Sequence, residues 1–194
     1  MIKPMPQVVQ PKRRRWTRAE YYRMADLGMF AGQRVELVGG EIVEMSAQKD
    51  THVIAVALAD EALSIALGTG FWVRIQAPLN LSIHDDPEPD LAVVAGAKRD
   101  YIGSANRVKA LLVVEVSDTT LRFDRGKKAR RYARARIADY WIVNLPAQQV
   151  EVYRDPALRD GRYLFAPPLI FKRGQSIIPL AAPNSAVKVD DLLP

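Results

Sequence analysis

The stretch LLVVEVSDTTLRFDRGKK, Leu111 to Lys128, begins as an apolar, β-branched run of the kind that forms a strand buried on both faces, yet it carries Glu115 in its middle. An ionised carboxylate there is costly to desolvate, so Glu115 must be paired, bound to a metal, or placed near the exposed end of the strand. A salt bridge to one of the many arginines and a functional site both remain open from this strand alone.

The segment that follows is strongly basic. From Arg122 to Arg136 it holds eight Lys and Arg residues against the single acid Asp124, a net +7. The pattern predicts a helix from about Asp124 to Arg136. Ala129, Tyr132 and Ala133 would seat one face on a sheet, and Lys127, Arg130, Arg131 and Arg134 would face outward as a phosphate-binding ridge. Lys128 lies one turn into that helix, 13 residues after Glu115, so a strand–loop–helix return can bring its ammonium to the edge where Glu115 sits. A cation there can hold an attacking water or stabilise phosphate charge. An ordinary surface lysine is the alternative for both Lys127 and Lys128.

A second acid comes from PEPDLAVV, where Asp90 follows Pro89 at the start of another apolar strand. Two acids from neighbouring strands can converge at one end of a sheet, and they repel unless a cation lies between them. Oxygen-only ligands suit Mg2+ or Mn2+, whereas a chain with no cysteine and two histidines is poorly furnished for zinc. A turn role within HDDPEPD is the alternative for Asp90, as for Asp85 and Asp86.

The 194 residues suffice for one domain with a substantial core. The composition, 48% hydrophobic and 26% charged, is that of a soluble globular protein, and the absence of cysteine excludes disulfides and a thiolate nucleophile. A cytoplasmic setting fits this, and no membrane segment or signal peptide is expected, since HVIAVALADEALSIALG is interrupted by Asp60 and Glu61. Residues 1–15 carry five basic residues and no acid. Subtracting them from the formal +6 leaves +1 for the rest. This tail reads either as a strand laid along phosphates or as a flexible, solvated leader, and residues 16–194 as a single domain.

Thr17 with Glu20 forms a capping box for a short helix that Gly28 can end, and RVELVGGEIVEMS reads as a hairpin turning at Gly39-Gly40. Asp50 can cap a helix over Thr51–Leu67, with Ile54, Leu58, Ala62 and Ile65 on its core face. DYWIVNL and QQVEVYR read as consecutive strands joined by Pro146-Ala147, and GRYLFAP suggests a further hairpin. After Gly174 the chain reads as extended, with little regular structure. The class is α/β or mixed α+β, a central mixed sheet flanked by helices.

Taken in order, RVELVGGEIVEMS, PEPDLAVV, LLVVEVSDTTLRFDRGKKARRYARARIADYWIVNL and VEVYR resemble the Uma-type (Uma-two) family of restriction endonucleases, within the PD-(D/E)XK nuclease superfamily. The resemblance covers roughly Trp16 to Tyr163, and its most specific piece is Asp124, Lys128 and Tyr132 at four-residue spacing before the YWIV strand. It implies a restriction-endonuclease-like fold. It also implies that Asp90 and Glu115 ligate Mg2+ with the Val116 carbonyl, that Lys128 orients or activates water, and that Glu36 assists the metal. Lys128 would stand in for the usual E-x-K lysine, whose position Ser117 occupies. His52 falls where the family often has a histidine at the start of the long helix, although a capping or packing role is the commoner one for such a residue. Two departures are SDTTLRFD, in place of a Ser-Pro-rich loop, and Arg136, where a glycine is usual.

The expected activity is metal-dependent DNA endonuclease or nickase chemistry with Mg2+, for which Mn2+ can substitute. The alternative is a nucleic-acid-binding protein without cleavage. Paired nicks on a duplex need two active sites, which makes a homodimer compatible with the chemistry, though no interface is legible.

Overall fold

The computed structural model describes residues 13–103 and 108–194. Most of the N-terminal basic tail therefore lies outside the described residues. Its last residues do not: Arg14 pairs with Glu20 and lies over the Trp16 ring, and Arg15 Nε donates to the Gly39 carbonyl at 3.0 Å.

A six-stranded sheet organises the domain. It is built from β3 (Phe71–Ile75), β4 (Leu91–Ala95), β5 (Ala110–Ser117), β6 (Asp139–Asn144), β7 (Gln149–Arg154) and β10 (Leu169–Lys172), in the spatial order β10-β7-β6-β5-β4-β3. Every pair is antiparallel except β5 with β6. A parallel pair needs a crossover, and the basic segment supplies it on one face of the sheet. The alternation of β5 divides its side chains between the two faces. Leu112, Val114 and Val116 join the core under α2 (Asp50–Leu67), while Val113 joins a second core with Ala129, Tyr132 and Tyr140. Period two therefore puts Glu115 on the crossover face.

The crossover is helical from Leu121 to Arg134, in three parts: α3 (Leu121–Phe123), a π-helical stretch (Asp124–Lys128) and α4 (Ala129–Arg134). It starts earlier than the sequence suggests, and its wide turn carries the Asp124, Lys128 pair. The Asp124 carbonyl accepts from the Ala129 N–H, five residues on, and from the Tyr140 hydroxyl at 3.1 Å. Such turns are frequent at functional sites. Arg136 ends the helix in the left-handed region at φ 57°, which explains the glycine expected there.

The N-terminal helix α1 (Arg18–Asp26) has the expected capping box at Thr17. The hairpin of β1 (Val35–Val38) and β2 (Glu41–Glu44) turns at Gly39 and Gly40, φ 68° and 78°, as a two-residue turn with both φ positive requires. A side chain at either glycine would collide with an arginine, Arg131 at Gly39 and Arg15 at Gly40.

Two expectations need correction. The buried face of α2 is Ala55, Val56, Ala59, Leu63 and Leu67, whereas Ile54 and Ile65 are 49% and 75% exposed. Both stripes have helical spacing. The one with alanines at 55 and 59 lets the helix axis approach the sheet more closely. The C-terminal segment is also more ordered than its sequence suggests. β11 (Ser176–Ile177) pairs with β12 (Val187–Lys188), and Val189 and Leu192 of the following 3-10 turn, Val189–Leu192, are buried in the core with α2. The hairpin expected in GRYLFAP is present as β8 (Ala157–Arg159) and β9 (Arg162–Leu164). Among the described residues no helix is long and apolar enough to cross a membrane.

Candidate active site

Four of the residues singled out in the sequence meet at one place. β4 and β5 end side by side, so that Asp90, just before β4, accepts the Val116 N–H on Oδ2 at 2.8 Å. In an extended strand the N–H and C=O of one residue face the same side, so the Val116 carbonyl is directed toward Asp90 as well. The other oxygen of Asp90 faces His52 Nε2 at 3.1 Å and Gln76 Nε2 at 3.3 Å.

Glu115, 3% exposed, receives two donors on one oxygen. Lys128 Nζ lies 2.9 Å from Oε1 and the Tyr132 hydroxyl donates to it at 2.6 Å. Lys128 is itself 1% exposed and reaches Glu36 Oε2 at 3.4 Å. Glu36, brought inward by the β1–β2 hairpin, also accepts the Glu88 N–H at 3.0 Å, and its Oε1 is buried without a hydrogen bond among the described residues. Asp124 accepts from Ser117 Oγ and Thr120 Oγ1, both at 2.6 Å, so the residue at the E-x-K position is tied to the helix that delivers the lysine. A hollow of about 80 Å3 opens onto Asp90, Glu115, Asp124 and Lys128, with His52 on its wall.

The electrostatics follow from four buried acids around one buried cation. Desolvation alone would lower the Lys128 ammonium. The field of Glu115, then Glu36 and Asp124, outweighs it and raises the pKa, so the lysine is charged. Burial pushes Glu115 well above the usual carboxylate range against the pull of Lys128, with Asp124, Asp90 and Glu36 adding to the rise. Asp124 is raised for the same first reason. Desolvation would raise Asp90, but the hydrogen bond and charge of His52, the hydrogen bond from the Val116 N–H and the charge of Lys128 together outweigh it, and Asp90 ends below its ordinary value.

Among the described residues no three Asp, Glu, His or Cys side chains are grouped as a ready metal cage. The donor set nevertheless fits Mg2+, which is held by one or two carboxylates and keeps several waters. Asp90 and Glu115 with the Val116 carbonyl supply oxygens only, and the unbonded Glu36 oxygen and the unneutralised acids mark a place for additional positive charge.

The ridge residues divide. Arg130 and Arg134 are exposed on the outer face of α4, whereas Lys127 pairs with Glu41 at 2.6 Å and Arg131 with Asp85 at 3.3 Å. Sequence reasoning gave Tyr132 only a seat on the sheet, named Asp124 only as a motif position, and did not single out Gln76 or Glu88. For the first two a signal existed, because each lies four residues from Lys128.

The family model Uma2, described as "Putative restriction endonuclease", matches residues 18–189. The chain belongs to this family. The fold agrees with membership: a crystal structure described as "a putative nuclease belonging to DUF820" from Anabaena variabilis ATCC 29413 superposes with a TM-score of 0.66 at 12% sequence identity, over 91% of this chain and 96% of that one. At that identity the likeness speaks for the nuclease-like fold alone. No curated protein matches the chain. Membership of the Uma2 family places the resemblance drawn from the motifs on a match that spans nearly the whole domain.

Proposed function

We propose that this protein is a metal-dependent DNA endonuclease or nickase with its active site at Asp90, Glu115, Lys128 and Glu36. The observation that carries the reading is the Lys128 ammonium, buried between Glu115 and Glu36 near a third acid, Asp90, which is tied to the strand that bears Glu115. A lysine buried only for packing has no reason to be surrounded by surplus acids at the floor of a hollow.

Mg2+, or Mn2+ in its place, would be held by Asp90, Glu115 and the Val116 carbonyl, with Glu36 touching its waters, and would supply Lewis acidity and charge neutralisation at the scissile phosphate. The chain's own contribution is positional. Lys128, fixed by two carboxylates and by the wide helical turn, presents N–H donors where a water attacks phosphorus in line and where negative charge builds on the phosphoryl oxygens. Tyr132 holds Glu115 in one rotamer, and His52 and Gln76 do the same for Asp90. Arg130 and Arg134 offer charge to the DNA backbone. A cytoplasmic location, and a homodimer where both strands are cut, belong to the same reading.

Cleavage of supercoiled plasmid with Mg2+ or Mn2+, comparing wild type with Asp90→Asn and Lys128→Met at matched folding, tests it. Each variant should lose about 10²–10³-fold in rate. Undiminished cutting in both would place the chemistry elsewhere. A second reading, nucleic-acid binding without cleavage, is favoured by the preformed Lys128–Glu115 pair, which already occupies one Glu115 oxygen. Calorimetric titration with Mn2+ separates the two: no heat with or without DNA would select binding alone.

A further inference from the structure

The crossover helix shows two faces. At 100° per residue, Lys128, Ala129, Tyr132 and Ala133 fall on one side and are buried, while Arg130, Arg131 and Arg134 fall on the other. The outer face is exposed, but it borders a neighbouring element. The β8–β9 hairpin packs against α4, turning at Asp160 and Gly161, whose φ values are 48° and 73°. Between hairpin and helix lies a hollow of about 430 Å3 lined by Arg130, Arg131, Arg134, Arg162 and Tyr163, without an acidic side chain on its wall. Among the described residues Arg130, Arg134 and Arg162 have no acidic partner, in contrast to Arg125, which Glu151 holds, and Arg131, which Asp85 holds. Arg136 adds a further cation, 5.7 Å above the Tyr163 ring.

Such an arrangement is under mutual repulsion unless anions enter it. Arg130 and Arg134 stand one turn apart and Arg162 lines the hollow from the hairpin, so the charges are a row with one cation across from it rather than a single focus. A row of guanidinium groups suits a chain of phosphates, each of which an arginine can grip with two N–H donors. The groove and Lys128 lie on opposite sides of the same helix, with Arg134 about 9 Å along its axis from Lys128, so a nucleic-acid strand at one side passes the other only by rounding the helix.

We infer that α4 and the 157–164 hairpin are the two walls of a groove that takes sugar–phosphate backbone outside the active-site hollow, flanking the stretch to be cut, with Arg162 and Tyr163 as its outer wall. The inference rests on the nuclease reading and assigns its substrate a path. The hairpin thereby becomes a clamp on nucleic acid rather than mere cover for α4.

The test is equilibrium binding of a fluorescent mixed-sequence DNA duplex to the full chain, in chelator so that nothing is cut, over a range of NaCl concentrations. Each phosphate contact contributes about 0.9 to the slope of log K against log salt. Arg162→Gln should lower the slope by about one contact, and Arg130→Gln with Arg162→Gln by about two, equally for unrelated sequences. Lys188→Gln, at the exposed residue of β12 beside α2 on the other face of the sheet, should leave it unchanged. An unchanged slope in Arg162→Gln while wild type binds and cuts DNA would overturn the groove and leave the nuclease reading intact. An equal fall in Lys188→Gln would show diffuse attraction and overturn it too. Wild type that binds no DNA at low salt, but binds polyglutamate in an Arg162-dependent way, would remove both readings in favour of an acidic protein partner.

Discussion

Replacing Lys128 by methionine gives the sharpest expectation. The side chain is 1% exposed, and its ammonium sits 2.9 Å from Glu115 and 3.4 Å from Glu36. Methionine keeps much of the volume but leaves those carboxylates without their cation. Breaking a buried pair from one side costs about 3–5 kcal/mol. At about 2–4 °C per kcal/mol for a domain of this size, the melting temperature should fall by about 6–20 °C. The deficit should also depend on pH. Without Lys128 the Glu115 carboxyl, already raised by burial, is raised further, so the folded variant binds a proton that the unfolded chain gives up above about pH 4.3. Stability of the variant relative to wild type must then fall as pH rises. Urea unfolding at pH 5.5 and pH 8 should show the larger deficit at pH 8, and Glu115→Gln added to Lys128→Met should recover part of it. A deficit that is absent, or equal at both pH values, would refute the assignment of a charged lysine neutralising buried carboxylates.

Tyr132→Phe removes the donor at 2.6 Å from Glu115 and should weaken Mn2+ binding about 10–100-fold, as loss of a group orienting a metal ligand does, measured by calorimetry on the folded variant. Arg136→Gly relieves a left-handed residue, worth about 1–2 kcal/mol. It loses an exposed contact with the Tyr163 ring worth about 0.5–1 kcal/mol. A small gain in chemical denaturation midpoint is expected. Glu151, buried and held by Arg125, Asn144 and Tyr153, has its carboxyl lowered because these bonds outweigh desolvation. Its depressed value stabilises the fold above about pH 4.3, the unfolded value, and that contribution is lost as pH falls through the folded one. The stability gap between wild type and Glu151→Gln should therefore be full at pH 7 and narrow near pH 3.5.

The acid in an apolar strand was legible because it violates a strong rule: Glu115 in LLVVEV demands a partner, and the structure supplies Lys128. The hairpin turn at Gly39-Gly40 and the capping box at Thr17 were legible for the same local reason. What the sequence concealed depends on tertiary choice. Two stripes of α2 share helical spacing, and only the sheet decides that Ala55 and Ala59, not Ile54 and Ile65, go inward. The C-terminal strand pair has no strong periodicity and acquires its order from α2. Likewise, the capture of Arg131 by Asp85 and of Lys127 by Glu41 joins residues 46 and 86 positions apart, a pairing that no local pattern announces.

The wide turn at Asp124–Lys128 has a consequence for the chain's tolerance of length changes. Arg125 is anchored on Glu151 and Lys128 on Glu115, and the angle between those two directions is set by the surplus residue in the turn. Deleting Gly126 would restore an ordinary hydrogen-bond ladder and leave the flanking turns in phase, because the surplus residue is what the wide turn absorbs. The change would fall on the two anchors, which would stand two residues apart instead of three, so that Arg125 and Lys128 no longer reach both acids together. The turn thus tolerates a lost residue as a helix but not as a site, while point substitutions at its exposed positions leave both untouched.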